Sequence, residues 1–389
     1  MTRKEQESIF HKFWNEQPIL KESDPEGHDG YIDPNIPVSS PPNQPAILPP
    51  GFTWSTIDIT NEKQLMEVYK FLSLNYVEDD NHKFRFLLPE KFIKWALNVP
   101  GAIKDWWLGV RTKTGALCGF ISGIPIKIKL NGDVQTWCSV NFLCVHARLR
   151  SKNLAPVLIF ELARRVRLHK VFRAVFSGGS IPSKPFAKTQ YLHRPLNLKK
   201  MSLCGFYPIS KSAMVSAQKR FALPQLVHNN IHPFCKNDVE GITNLFRESS
   251  QKYKFDIDFT AELVEHMFLP RDDVIYSYVI PSVNGPVGFV SFYIMNWSIL
   301  NDSSITEVRA AYIYYCVSKT IEMKSLIADL LNKAVNDAKA DVINGFSMSG
   351  NVDALVSNKF EKGSRDLEYY SYNYAIPNIE DKELRYIFV

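Results

Sequence analysis

Three cations within five residues, Arg148, Arg150 and Lys152, follow the segment Val140-Asn-Phe-Leu-Cys-Val-His146. The segment is apolar enough for a buried strand, and Ala155 to Leu168 then carries apolar residues at helical spacing. A strand, a basic turn and a helix start bring unpaired backbone N–H groups and a positive dipole end to one place. Such a place suits a phosphate or pyrophosphate. Pro156 fits the first helical turn, where its missing N–H costs little. Asn153 fits the turn because asparagine tolerates positive φ. Arg164, Arg165 and Arg167 extend the basic stretch, which reads as a local anion site. A nucleic-acid surface would carry a longer basic stripe with interleaved aromatics.

Other reactive side chains are scattered. Cys144 could be a nucleophile, but its neighbours are apolar and no base accompanies it, so it reads as a small hydrophobe. The six cysteines form no CxxC pair and no metal-ligand spacing, so no metal is expected and a reducing, cytoplasmic setting is. Asp79 and Asp80 follow an apolar helix, as a solvated loop or as an attraction for basic groups. Phe84 and Phe86 alternate as one strand face, either core or groove wall. The net charge of +6 over 389 residues favours an anionic ligand without specifying one. No signal-like apolar core leads the chain and no run of 18 apolar residues occurs, so no membrane span is expected.

The elements that must position these residues follow a repeating order. Trp54 to Thr60 reads as a strand, Glu62 to Leu74 and Glu90 to Asn98 as helices. Trp106 to Thr112, Leu117 to Leu130 and Trp137 to His146 read as strands ahead of the helix, and Val171 to Phe176 as one after it. Later, strands at Val274 to Pro281, Val287 to Ile294 and Ala310 to Val317 precede a helix at Glu322 to Lys339. Gly119-Phe-Ile-Ser122 matches Gly288-Phe-Val-Ser291, 169 residues on, and Cys144-Val145 matches Cys316-Val317, 172 residues on. Two matches in one order at nearly one offset indicate a duplicated α/β unit. The turn after the second copy, Ser318 to Lys324, lacks the basic pattern, so only one half should bind the anion. Nine of the 23 prolines lie between Pro18 and Pro50, which predicts an extended surface arm. The aromatics Phe10 to Trp14 ahead of it predict docking rather than disorder.

At these residues the chain resembles the eukaryotic glycylpeptide N-tetradecanoyltransferase (N-myristoyltransferase) family. The resemblance is carried by His11-Lys-Phe-Trp14, Leu48-Pro-Pro-Gly-Phe-Thr-Trp54, Asn75-Tyr-Val-Glu-Asp-Asp80, Phe84-Arg-Phe86 and Gly119-Phe-Ile-Ser122. It is closest in Asn141-Phe-Leu-Cys-Val-His146 with Leu149-Arg-Ser-Lys152 and Leu154-Ala-Pro-Val-Leu158, and looser in Tyr191-Leu-His-Arg194 and Tyr369-Tyr-Ser-Tyr-Asn373. Arg150-Ser-Lys-Asn-Leu-Ala155 also resembles the R/Q-x-x-G-x-G/A turn of the acetyltransferase fold. The resemblance implies an α/β (α+β) fold of two acetyltransferase-like (GNAT-type) halves related by a pseudo-twofold, forming one compact saddle-like sheet. It implies an arm over residues 1–50, a half over 51–215 that binds myristoyl-CoA, and a half over 216–389 that forms the peptide groove.

By the same resemblance, the co-substrate myristoyl-CoA would meet His11, Lys12, Phe13, Trp14, Phe142, Leu143, Cys144 and Val145. Its phosphates would meet Arg150, Ser151, Lys152, Asn153, Leu154 and Ala155. The backbone N–H groups of Phe142 and Leu143 would form an oxyanion hole, and the C-terminal carboxylate, here on Val389, would be the base. The apolar ending Tyr386 to Val389 would otherwise read as an ordinary last strand. Asp79, Asp80, Phe84, Phe86, Asn141, Ser177, Tyr191, His193, Tyr312 and Asn344 would meet peptides beginning with glycine, including nascent proteins. A monomer is implied, and neither nucleic acid nor stable membrane insertion. The chain departs from the family pattern at Asn81, Asn153, Ser364 and Trp297. Transfer of another acyl length, or to lysine, and a binding module without turnover remain as alternatives.

Overall fold

The computed structural model describes residues 13–25, 27–79, 81–178, 183–300 and 305–389. His11, Lys12 and Asp80 lie outside the described residues. The first half comprises β1 (Phe52–Thr56), α1 (Glu62–Asn75), β2 (Phe84–Leu87), α2 (Glu90–Leu97), β3 (Trp107–Thr112), β4 (Leu117–Leu130), β5 (Asp133–Val145), α3 (Leu154–Leu168), β6 (Ala174–Ser177) and β7 (Ala187–Pro195). Two short helices, α4 (Leu198–Leu203) and α5 (Met214–Arg220), connect to the second half. There β8 (His232–Pro233), α6 (Val239–Ser249), β9 (Phe255–Ile257) and α7 (Ala261–Phe268) lead to β10 (Ile275–Ile280), β11 (Gly288–Ile294), β12 (Asn296–Ile299) and β13 (Glu307–Val308). The chain ends with β14 (Ala310–Ser318), α8 (Met323–Asn336), β15 (Val342–Phe346), α9 (Val352–Ser357), β16 (Glu361–Tyr372) and β17 (Leu384–Arg385).

Among the described residues, the main sheet has 14 strands and runs β1-β3-β4-β5-β6-β16-β7-β15-β14-β11-β10-β8, with β9 on β4 and β17 on β9. Its centre interleaves the halves: β16 pairs with β6 of the first half, and β7 pairs with β15 of the second. Each half has an antiparallel pair, a third strand, a helix and a parallel fourth strand, so the duplication is present. β4 is buried along almost its whole length because both of its faces are covered, which is why Leu117 to Leu130 reads as one apolar run. Asn61 caps α1 by accepting from the N–H groups of Lys63 and Gln64 at 3.0 and 3.2 Å.

One part of the repeat needs correction. Gly119 faces Val145 and Phe120 faces Cys144 in the first half, whereas Gly288 faces Ser318 and Phe289 faces Val317 in the second. With the glycines aligned, Cys144 corresponds to Val317, one residue beyond the position that the Cys-Val match indicates. The Cys-Val match is a chance identity; the Gly-Phe-x-Ser match marks true equivalents.

Candidate active site

The Gly-Phe-x-Ser repeat has a structural purpose. In each half the ladder loses register beside the serine, between Phe120 and Ser122 in one and between Val290 and Phe292 in the other. The surplus residue bulges out, and the serine hydroxyl donates to a carbonyl of the bulged strand. Ser122 Oγ donates to Asn141 O at 2.8 Å, and Ser291 Oγ to Tyr315 O at 3.0 Å. In the first half the bulge holds Phe142 at φ +56°, a conformation that non-glycine residues seldom adopt. Neither Phe142 nor Leu143 has a register partner on β4.

A second irregularity opens the sheet. β5 pairs in parallel with β6 only at Cys138 and Ser139, and the strands diverge beyond that point. The divergence creates an apolar slot under α3, walled by Val140, Ile159, Leu162, Val166 and Phe176. The slot belongs to a cavity of about 700 Å³, inside the usual range for ligand sites. Its wall also holds Phe142, Leu143, Asp79, Phe84, Phe86, Asn141, Ser177, Tyr191, His193, Tyr312, Ala155 and Val389. Cys144 and Val145 are buried in the strand and do not line it. Burial pushes the Cys144 thiol up to about 12, with Arg150 and Arg85 opposing weakly, so it is no ready thiolate.

The far end of the cavity is aromatic. Phe206 packs on Trp297 at 4.8 Å, and both meet Phe84 at 5.9 Å. Trp297 Nε1 donates to Tyr312 Oη at 2.8 Å. Asn344 does not line the cavity but fixes His193, which does. Asn344 Nδ2 donates to the Ala311 carbonyl at 3.2 Å, so its Oδ1 must face His193 Nδ1, at 2.6 Å. Nδ1 therefore carries the hydrogen, and Nε2 is left as an acceptor. Burial lowers the His193 pKa, while the Asn344 bond opposes the shift, so the ring is neutral at pH 7. Asn141 Nδ2 is a buried donor with no hydrogen-bond partner among the described residues. Asp79 is partly committed, since its Oδ1 accepts from the N–H groups of Lys83 at 2.6 Å and Phe84 at 2.7 Å. Phe206 escapes pattern reading because it sits in a loop, with no period to reveal its face.

The basic turn lies just outside the cavity wall. Residues Ala147–Lys152, including Ser151, form a 3₁₀ turn, Asn153 adopts φ +55°, and α3 starts at Leu154. Arg150 Nη2 donates to Asn75 O at 2.8 Å, and Lys152 closes the turn. Arg164 and Arg165 are committed within the fold rather than to an anion. Arg164 and Arg165 each meet the buried Glu161 at 2.8 Å, and Arg167 donates to Ser39 O at 3.2 Å. Glu161 also accepts from Ala46 N at 3.0 Å. These groups pin the proline-rich arm along α3. At its start, residues 13–16 are helical; Phe13 and Trp14 line the cavity, and Trp14 stacks on Phe176 at 5.6 Å.

The last residues enter from the second half. β14 pairs with β15 only from Ala310 to Tyr312 and then diverges from it, as β5 does from β6. Here the space is filled: Arg385 and Ile387 occupy it, leaving a cavity of only about 20 Å³. Tyr386 O accepts from Tyr369 Oη at 2.9 Å, and Tyr386 Oη donates to Ser139 Oγ at 2.6 Å. Residues 384–387 are buried, and Val389 is half-buried rather than enclosed.

The chain matches the family "Myristoyl-CoA:protein N-myristoyltransferase, N-terminal domain" over residues 31–189 and "Myristoyl-CoA:protein N-myristoyltransferase, C-terminal domain" over residues 204–385. It is 37% identical to glycylpeptide N-tetradecanoyltransferase 1 of Arabidopsis thaliana, across 95% of this chain and 87% of that protein. The Schizosaccharomyces pombe glycylpeptide N-tetradecanoyltransferase is 35% identical, across 95% of this chain and 84% of that protein. Among solved structures, Saccharomyces cerevisiae N-myristoyltransferase with bound myristoyl-CoA is similar at a TM-score of 0.89 and 33% identity, covering 95% of this chain and 94% of that one.

Proposed function

The chain belongs to the myristoyl-CoA:protein N-myristoyltransferase family, and we propose that it moves the myristoyl group of myristoyl-CoA onto the N-terminal glycine amine of proteins by direct attack on the thioester. The observation that carries this reading is one cavity whose wall joins the apolar slot, the bulge residues Phe142 and Leu143, and Val389. The first half, residues 51–215, takes the acyl-CoA beneath the arm of residues 1–50. The peptide end is shared: residues 216–389 add Trp297, Tyr312 and Val389 to the wall that Phe84, Phe86 and His193 begin. Both ends are built from one copy of the chain, which supports action as a monomer. The free cysteines support a reducing, cytoplasmic setting.

The slot takes the acyl chain, whose twelve methylenes at about 0.8 kcal/mol each contribute up to roughly 10 kcal/mol of burial. The turn from Arg150 to Ala155, with the first turn of α3, takes the pyrophosphate. The glycine enters as an ammonium, and only its neutral amine can attack. A free carboxylate takes that proton uphill by about 6 kcal/mol, from the difference between an α-amino pKa near 7.8 and a carboxyl pKa near 3.5. Half-burial of Val389 beside an apolar slot narrows that gap, because desolvation raises the carboxylate and lowers the ammonium. The amine nitrogen then bonds to the thioester carbon, and the negative charge that develops on oxygen meets the N–H groups of Phe142 and Leu143. The C–S bond breaks, the proton that the attacking nitrogen must shed passes to the sulfur, CoA leaves as the thiol, and the acyl group remains on nitrogen as an amide.

The test uses the full chain, myristoyl-CoA and octapeptides beginning with Gly or Ala. CoA release with a myristoylated Gly peptide, and neither with Ala, is expected. Binding of acyl-CoA without turnover would overturn the enzyme reading. Extension beyond Val389 should lower kcat by about 100- to 10,000-fold, the usual worth of a general base. Wild-type turnover in that variant would remove the carboxylate from the mechanism.

A further inference from the structure

Four residues before Val389 the chain places a fully buried ion pair. Arg385 is 1% exposed and Asp256 is 0% exposed. Arg385 Nε donates to Asp256 Oδ1 at 2.8 Å and Nη2 to Oδ2 at 2.6 Å, a bidentate fork. Two more of its N–H groups are used: Nη1 meets Ser249 Oγ at 2.6 Å, and Nη2 meets Phe246 O at 3.0 Å. The carboxylate is satisfied in turn, accepting from Ile257 N at 2.9 Å and Ser250 Oγ at 2.5 Å. The guanidinium lies 4.5 Å from the Tyr253 ring centre and just over 5 Å from those of Phe246 and Phe259.

Stability alone does not call for this arrangement. A buried ion pair recovers its desolvation cost poorly, and apolar replacements of similar volume are often neutral or stabilising. What the pair adds is direction. Beyond Arg385 the tail has few polar ties: Tyr386 O, Tyr386 Oη, and a long bond from Ile387 N to Tyr315 Oη at 3.4 Å. Two residues of parallel pairing, Leu384 with Phe255 and Arg385 with Asp256, are too few to fix its register alone. Asp256 sits on β9, which pairs with β4 through Lys129. β4 is the strand whose other end carries Ser122 and faces the Phe142–Leu143 bulge. The pair thus ties the tail to the same strand that sets the two amides.

We infer that Arg385 and Asp256 are positioning residues: their fork locks the register of the tail and so sets where the Val389 carboxylate stands relative to the Phe142 and Leu143 amides. This rests on the carboxylate reading above. The experiment replaces both partners, Arg385→Met with Asp256→Leu, so that neither charge is left buried alone. The double variant should unfold at or above the wild-type temperature and bind myristoyl-CoA with unchanged Kd. Its kcat should fall about 10- to 100-fold, the effect of displacing a reacting group by about 1 Å. Arg385→Lys, which keeps the charge without the fork, should recover only part of that loss. Wild-type kcat in a double variant that folds and binds would overturn the inference. So would a loss of kcat matched by an equal loss of acyl-CoA affinity. The C-terminal extension separates the two ideas. If the extension abolishes turnover while the double variant is fully active, only the register lock fails. If the extended chain turns over normally, the carboxylate reading has failed first.

Discussion

Replacing Ser122 with alanine should damage catalysis out of proportion to stability. Ser122 is fully buried, and its hydroxyl is 2.8 Å from Asn141 O, inside the bulge that holds Phe142 at φ +56°. Leaving a buried carbonyl without this donor costs about 1–3 kcal/mol. A non-glycine residue at positive φ stores about 1–3 kcal/mol of strain. The two are the same size, so without the hydroxyl the bulge is free to relax and carry the amides of Phe142 and Leu143 off their aim. A shift of about 1 Å should lower kcat roughly 100-fold, with the Kd for myristoyl-CoA little changed. The melting temperature should fall only a few degrees, at about 2–4 °C per kcal/mol or less in so long a chain. Ser291→Ala is the matched control. Its hydroxyl makes two bonds to Tyr315, both at 3.0 Å, so stability should fall at least as far. Its bulge holds no residue of the proposed oxyanion hole, so kcat should stay within a few-fold of wild type. The assay is steady-state CoA release with a Gly octapeptide, beside thermal unfolding of both variants. Wild-type kcat in Ser122→Ala despite a lower melting temperature, or equal losses of kcat in the two variants, would refute the reasoning.

Trp14→Ala removes the stack on Phe176 and the edge contact with Phe13 at 5.0 Å. At about 0.5–1.5 kcal/mol per aromatic pair beyond the lost burial, the arm should become protease-sensitive and the KM for myristoyl-CoA should rise, while the melting temperature hardly moves. Cys144→Ala should keep kcat within a few-fold, since its thiol is buried, raised to about 12 and absent from the cavity wall. A loss of 100-fold or more in a folded variant would reopen covalent catalysis. His193 has a folded pKa below its ordinary value of about 6.5 because burial disfavours the charged ring. Its contribution to stability is therefore complete above pH 6.5 and is lost as pH falls, when the unfolded chain binds the proton first. His193→Gln should abolish that loss, so the stability gap between wild type and variant should narrow from pH 7 to pH 5 in urea titrations. A gap that is constant or widening would show that His193 is not held neutral by the fold.

The regular elements were legible because burial marks the local sequence, as a period or as an apolar run. β4 reads as Leu117 to Leu130 in the sequence and in the structure, since a strand covered on both faces leaves a mostly apolar run, interrupted only by Ser122, Lys127 and Lys129. α3 and Asn153 were legible for a local reason: the turn demands positive φ, and asparagine is among the residues that allow it. Long-range pairing leaves no such mark. Glu161 stands three and four residues before Arg164 and Arg165, a local helical spacing, but only the fold brings Ala46 of the arm to the same carboxylate. The Arg385–Asp256 pair spans 129 residues and has no periodicity to reveal it. The exchange of β7 and β16 across the sheet centre is invisible for the same reason.

The duplication also explains how residues 386–389 reach the wall of the first cavity. Both halves splay open at equivalent points, after Ser139 on β5 and after Tyr312 on β14. Both carry a serine-held bulge beside the splay. In the first half the opening stays a slot within a cavity of about 700 Å³; in the second, Arg385 and Ile387 fill it down to about 20 Å³. The tail thus stands in its own half where the apolar slot stands in the other. Residues 386–389 leave the second opening, bond to Tyr369 and Ser139 through Tyr386, and reach the wall of the first cavity. A duplicated fold has two such openings, and the proposed function uses only one for the thioester. The other is free to hold protein, and a segment held there by Arg385 ends at the wall of the first cavity without any loop built to carry it.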